Sequence, residues 1–325
     1  MKIRNLKNIL ALLLALLLLC SMLPAALAEG DGEAAPAEES AETAEAAPAE
    51  ESSERVEAAP AEATTDNAAP EEQAEPTGMQ KLLKSAKENG SFLLVCLGVF
   101  AGLFLLAWLF ERLLVKDRKK FSDTHYISYT AIFSTMAAVL MLLEFPLPFA
   151  PPFYKLDLSE LPVMICTFYL GPVSGVVAEF VKVFLKLLMK GTTTAFVGDF
   201  ANFAVSCTFV LPASVIYHAK PSKKTALLGM IAGTLVMTVF GSSFNALYLV
   251  PKFAQLFFKN DLDKIIGMGT KVNSHITSVP TLVLYAVVPF NLLKGAVVSL
   301  LTFLLYKRIS PLMHKGDARK KRKAA

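Results

Sequence analysis

Charge is scarce along this chain of 325 residues: Asp, Glu, Lys and Arg make up 18%, against 54% hydrophobic residues and a mean hydropathy of +0.48. Much of that charge lies outside the apolar runs, which excludes an ordinary soluble domain and points to an integral helical membrane protein. Cysteine is equally sparse. Cys20, Cys96, Cys166 and Cys207 each fall inside an apolar stretch without metal-ligand spacing, so they read as small hydrophobes and imply no disulfide framework. The four histidines, His125, His218, His275 and His314, are scattered, and no metal site is expected. No G-K-[ST] occurs, so any ATP hydrolysis has to come from a partner. Neither H-E-x-x-H nor G-x-S-x-G is present, and the one E-E-x-x-x-R, Glu50 to Arg55, sits in a hydrophilic stretch. The expectation is therefore a protein that is not an enzyme.

What is present divides by composition. Residues 1–28 have a basic start (Lys2, Arg4, Lys7), an apolar core and the small-residue end Ala26-Leu27-Ala28, the pattern of a signal peptide or an uncleaved signal anchor. Residues 29–78 hold sixteen acidic residues against one basic residue, Arg55, about −15 in charge. Within them EAAPAEES begins at Glu33 and Glu45, and EAAPAE returns at Glu57, a 12-residue period. Recurring Pro and charge repulsion oppose compaction, so an acidic, extended, disordered tether outside the cell is expected. Residues 79–120 carry a first transmembrane helix, Ser91 to Val115, closed by Lys116, Arg118, Lys119 and Lys120, a basic end that marks the cytoplasmic side. Basic residues gathered at helix ends orient a chain in a bilayer and need no nucleic acid as partner.

Residues 121–315 read as six helices, near Tyr126–Phe145, Leu161–Leu170, Val173–Met189, Val197–His218, Thr225–Val250 and Pro280–Lys307, followed by a basic cytoplasmic tail, 316–325. Gly171-Pro172 separates the second from the third. Threading orientation through the six leaves Lys220, Lys223 and Lys224, and then Lys307 and Arg308, on the cytoplasmic side. The Pro- and Phe-rich loop Phe145 to Glu160, the segment Gly191 to Thr194 and the long loop Lys252 to Val279 then meet outside.

The last apolar run, Pro280 to Tyr306, is long enough to cross a bilayer, which takes about 20 residues. Asn291 and Lys294 lie near its middle, three apart and on one helical face. A central Lys costs about 2.5–3.5 kcal/mol on insertion scales, so this face is expected to line a polar cavity. Glu179, Lys182 and Lys186 follow one another along the third helix: an internal ion pair with a Lys reaching the outer interface, or a substrate contact. Asp199 and Asn202 either order the GTTT loop or touch ligand. Small residues on helix one (Ala131, Ser134, Thr135, Ala138) and Gly229-x-x-x-Gly233 permit close helix approach, within this chain or against another.

The strings FPLPFAPPFYKLDLSELP, LGPVSG, EFVKVFLK, GTTTAFVGDFANF and PFNLLKG, in this order over about Tyr126 to Arg308, resemble the riboflavin-specific S component of energy-coupling factor (ECF) vitamin transporters. The resemblance implies an all-α, six-transmembrane-helix bundle, here preceded by the signal-like segment, the acidic tether and one extra transmembrane helix. It implies a multi-pass protein of the bacterial plasma membrane that captures riboflavin outside. A transmembrane T component and two cytoplasmic ATPases then drive delivery inward, and no cofactor beyond the transported ligand is implied. Asn291 and Lys294 match the family's N-x-x-K, and Asn245 matches a pocket Asn, although Ala246, Leu247 and Tyr248 depart from the aromatic pattern that usually follows. Phe149, Ala150 and Phe153 fall in the first loop, which resembles the family's lid over the substrate, and Ala131 and Thr135 have the spacing of the small-residue face that docks the T component in that family; Asn202 is a further candidate contact. An isoalloxazine ring with its carbonyl and imide edges and a ribityl tail suits a largely apolar pocket with a few Asn and Lys donors. A phosphorylated flavin calls for more cations, leaving the mononucleotide as the second ligand.

Overall fold

A computed structural model describes residues 90–115, 123–192 and 194–305. The signal-like start, the tether, the basic cluster after Val115 and the tail lie outside the described residues. Nearly everything described is helical. Helix α1 spans Gly90–Leu114 and α2 Thr124–Leu142. A small hairpin pairs β1, Phe145–Pro146, antiparallel with β2, Lys155–Leu156. Then come α3, Glu160–Leu170, α4, Pro172–Lys190, and α5, Val197–Ala219. The last three are α6, Lys223–Phe257, α7, Leu262–Thr270, and α8, Val279–Leu305.

Among the described residues, α1, α2, α5, α6 and α8 are long and apolar enough to cross a membrane. Helix α4 has 19 residues but also Glu179, Lys182, Lys186 and Lys190. Helix α3, with 11 residues, rises only about 16 Å and cannot cross alone. The six helices expected between Tyr126 and Lys307 are thus α2 to α6 and α8. Gly171, at φ 121°, takes a backbone conformation open to glycine, and Pro172 starts α4 where its missing N–H costs nothing.

Two boundaries differ from expectation. The first helix stops at Leu142, not Phe145, because Phe145 and Pro146 are drawn into the hairpin. The segment Lys252 to Val279, expected as a loop, is largely helical. Pro251 does not end α6, because residues Asn245–Leu249 form a wider π turn in which Val250 N–H donates to Asn245 O. A second π turn, Val283–Val287, precedes Pro289 in the same way, with Val288 N–H donating to Val283 O. Widening the turn relieves the clash of the proline ring with the carbonyl four residues back. Just past the end of α6 at Phe257, Lys259 and Asn260 are both left-handed (φ 52° and 67°), with Asn260 N–H donating to Ala254 O at 3.0 Å. Asp261 then caps α7 by accepting from Asp263 N and Lys264 N.

The core is organised around α5, which is buried along most of its length. Gly229 and Gly233 let α6 press on it: a Cβ at Gly229 would stand 2.6 Å from Ala213 O, and one at Gly233 would meet Phe209 O. That pair of small residues serves packing within this chain. Helix α1 belongs to the same core. Val99, Leu103, Ala107 and Phe110 pack in one apolar cluster with Val176, Val183, Phe203 and Phe240. Its buried Glu111 accepts a hydrogen bond from Val173 N at 3.1 Å, capping the start of α4, where Gly171 has no side chain to do so.

Candidate functional site

The polar residues of α8 are buried, as their position in an apolar helix demands. Asn291 is 4% and Lys294 6% exposed. A capping box starts this helix, Ser278 accepting from Thr281 N, with Pro280 in the first turn. Gly295 brings it against Thr234 of α6.

Lys294 Nζ lies 3.3 Å from Asp157 Oδ2 and 3.2 Å from Glu160 Oε1. Glu160 Oε1 also meets Lys182 Nζ at 3.1 Å and accepts from Ser206 Oγ at 2.5 Å. Lys182 Nζ stands 2.5 Å from Glu179 Oε2. Five ionisable groups from the start of α3, from α4 and from α8 thus form one buried cluster, with Ser206 of α5 attached. Asp157 is held by an Asx turn, its Oδ1 accepting from Ser159 N at 2.8 Å and from Ser159 Oγ. The expected pairing of Glu179 with Lys182 is therefore present, but as part of a larger network. Lys186 does not reach outward: it pairs with Asp199 at 2.5 Å, side chain 13% exposed. Asp199 in turn accepts from Thr192 Oγ1 at 2.9 Å, so it orders the segment before α5.

The hairpin loop covers the neighbouring space. Ala150 is buried, and Phe149 and Phe153 pack in a cluster with Tyr154, Val250, Ala254, Ile265, Ile276 and Val287. Tyr154 links this loop to the helices: its ring lies 5.6 Å from that of Phe290, and its hydroxyl donates to Asn245 Oδ1 at 2.7 Å. Burial pushes the Tyr154 phenol well above its ordinary pKa, so the hydroxyl stays a neutral donor. Asn245 Nδ2 donates to Gly241 O at 2.7 Å. Asn291 faces the same glycine, since a Cβ at Gly241 would stand 2.9 Å from Asn291 Nδ2. Asn245 on the first π turn, Asn291 just beyond the second and the aromatic loop are thereby brought together, with Lys294 one helical turn from Asn291. Asn202 lies one turn before Ser206 on α5, and its Oδ1 is buried without a hydrogen-bond partner among the described residues.

Sequence reasoning missed Tyr154, Asp157, Glu160 and Ser206. All but Ser206 fall within FYKLDLSELP, where two acids beside a membrane helix were the available signal: buried lysines on other helices need carboxylates, and these were at hand.

The second pair of sequence candidates, Ala131 and Thr135, is exposed on α2. With Ile132, Met136, Val139 and Leu140 they line a shallow apolar groove. Ser134 and Ala138 point inward and are buried. Among the described residues, helix α1 packs against α4 and α5, and Ala131, Ile132, Thr135, Met136 and Val139 of α2 remain exposed.

Residues 125–306 match the family described as the ECF transporter, substrate-specific component. The chain is 34% identical over 180 residues to the riboflavin transporter RibU of Staphylococcus aureus, covering 55% of this chain and 87% of that protein. It is 28% identical over 182 residues to the riboflavin transporter FmnP of Bacillus subtilis (56% and 90%). With RibU of Streptococcus thermophilus it shares 31% over 195 residues (60% and 87%). A solved S component of a bacterial ECF transporter is 32% identical, with a TM-score of 0.47 over 59% of this chain and 99% of that one.

Proposed function

The chain belongs to the substrate-specific components of ECF transporters, and from that premise we propose that it captures riboflavin and passes it inward with an ATP-hydrolysing ECF module. The observation that carries this reading is the convergence of Asn245, Asn291 and Lys294 beneath an aromatic loop, in a chain whose relatives are riboflavin transporters. Phe149, Phe153, Tyr154 and Phe290 supply apolar surface for an isoalloxazine face, and the two amides and the ammonium meet its polar edges and ribityl hydroxyls. Asn202, with its unpartnered buried oxygen, is a further contact for a hydroxyl or imide donor.

Riboflavin is favoured over its mononucleotide by charge. Lys294 is already engaged by Asp157 and Glu160, and those carboxylates repel a phosphate. The hairpin loop acts as the lid, with the tether and the lid on the extracellular side and the carboxyl terminus in the cytoplasm. Residues 1–28 serve as signal or anchor, 29–78 as the tether, 79–120 as the extra helix, 121–315 as the binding domain and 316–325 as the tail. The T component docks on α2 at Ala131 and Thr135, and two partner ATPases hydrolyse ATP, since the sequence has no phosphate-binding G-K-[ST].

Protein purified from cells grown on riboflavin should carry a yellow flavin that chromatography identifies as riboflavin. Folded protein that purifies colourless, and stays so after incubation with riboflavin, contradicts the proposal.

A further inference from the structure

We propose that Glu160 and Glu179 hold one proton between them, making the buried charge cluster a protonation site beside the ligand-binding residues. The link to ligand rests on the reading of Lys294 as a flavin contact; the protonation itself does not.

The argument begins with a count of charges. Asp157, Glu160 and Glu179 contribute three carboxyls, and Lys182 and Lys294 two ammonium groups, each at least nine-tenths buried. Among the described residues no third cation faces them. Lys186, one turn along α4, is committed to Asp199 of α5. From α5 itself come Ser206 and the thiol of Cys207, from α3 and its approach Glu160 and Asp157, and from α8 Lys294. Helix α2 presents Thr130 and Ser134, whose hydroxyls return to its own backbone. Glu111 of α1 caps the far start of α4. If every group were ionised, the cluster would keep one uncompensated carboxylate inside a membrane bundle, where an unpaired charge is strongly disfavoured.

Hydrogen bonding points to the same pair independently. Glu160 Oε2 and Glu179 Oε1 are fully buried and, among the described residues, have no hydrogen-bond partner. A single proton removes the surplus charge and provides an O–H donor where only acceptors stand. Glu160 is kept ionised by two lysines and Ser206, whereas Glu179 has Lys182 alone. The proton, taken from water, therefore resides on Glu179, in a carboxyl pair of the kind that cannot ionise twice.

Such a site couples to ligand. A flavin that draws Lys294 Nζ away from Glu160 removes positive charge from the carboxyl pair and tightens its hold on the proton. By reciprocity, loss of the proton at alkaline pH weakens flavin binding.

Infrared spectroscopy of the ligand-free protein in lipid tests this, because a protonated carboxylic acid has its own carbonyl stretch. The band should be present at neutral pH, titrate away at alkaline pH, vanish in Glu179→Gln and persist in Glu111→Gln. The alkaline weakening of riboflavin binding should be absent from Glu179→Gln. A wild-type spectrum without the acid band overturns the proposal, and so does thermal stability that depends on sodium without such a band, because a metal cation then balances the charge. A band that survives in both Glu179→Gln and Glu160→Gln places the proton elsewhere and also overturns it. If Glu179→Gln does not fold, the wild-type pH titration decides. An acid band in protein that binds no riboflavin sinks the flavin reading and leaves the proton in place.

Discussion

Lys182 of α4 and Lys294 of α8 meet the same atom, Glu160 Oε1, at 3.1 and 3.2 Å. One carboxylate at the start of α3 therefore positions the ammonium group proposed to touch ligand and ties it to the charges of α4. Glu160→Ala deletes the acceptor shared by the two lysines but leaves Asp157 for Lys294 and Glu179, free to give up its proton, for Lys182. It should therefore destabilise the folded protein by about 1–3 kcal/mol, the range for losing a partner to a buried polar group, and abolish flavin binding. Thermal unfolding in detergent measures the first effect and ligand titration the second. A variant as stable as wild type contradicts the network.

Lys294→Ala and Asn291→Ala should each weaken riboflavin binding by roughly 1–3 kcal/mol, the range for losing a partner to a buried polar group. Unchanged affinity in both variants removes the site from α8.

Tyr154→Phe deletes only the hydroxyl that joins the hairpin loop to Asn245. We expect a loss of about 0.5–1.5 kcal/mol in affinity, expressed as faster riboflavin release, because the loop is then untied from α6. Stopped-flow dissociation measures it; an unchanged release rate with a slower association rate contradicts a lid role.

Ala131→Trp and Thr135→Trp change the exposed face of α2 without touching the buried cluster. Riboflavin binding should be retained while uptake by cells fails. Normal uptake in both places the T component elsewhere.

Glu144 joins the loop to α4: its Oε1 accepts from Lys155 Nζ at 2.9 Å and from Lys190 Nζ at 2.8 Å. Burial alone would raise its pKa, but the hydrogen bonds and charges of Lys190 and Lys155 outweigh it and hold the carboxyl below its usual range. A group depressed on folding stabilises above its unfolded pKa, about 4.3 for Glu, and loses that contribution as pH falls through the folded value. Thermal stability of the wild type should therefore fall more steeply than that of Glu144→Gln below about pH 4. Parallel profiles contradict the tie.

The helices were legible because long apolar runs closed by Lys, Gly-Pro or Ser caps leave few alternatives. Asn291 and Lys294 stood out because their side chains are costly in an apolar helix. The course of α6 past Pro251 was not legible: a π turn absorbs the ring, and nothing local distinguishes that from a helix end. Nor were the partners of Lys294, since Asp157 is 137 residues away and only the packed bundle brings the two together. Glu111 was hidden for the same reason, being one acid near a helix end until the bare Gly171 is placed beside it.

The most direct measurement is a titration of riboflavin with purified protein in detergent, followed by quenching of the flavin's own fluorescence. The account predicts saturable quenching at one flavin per chain, with the midpoint moved to higher concentration in Lys294→Ala. Folded wild-type protein that leaves flavin fluorescence unchanged would contradict it.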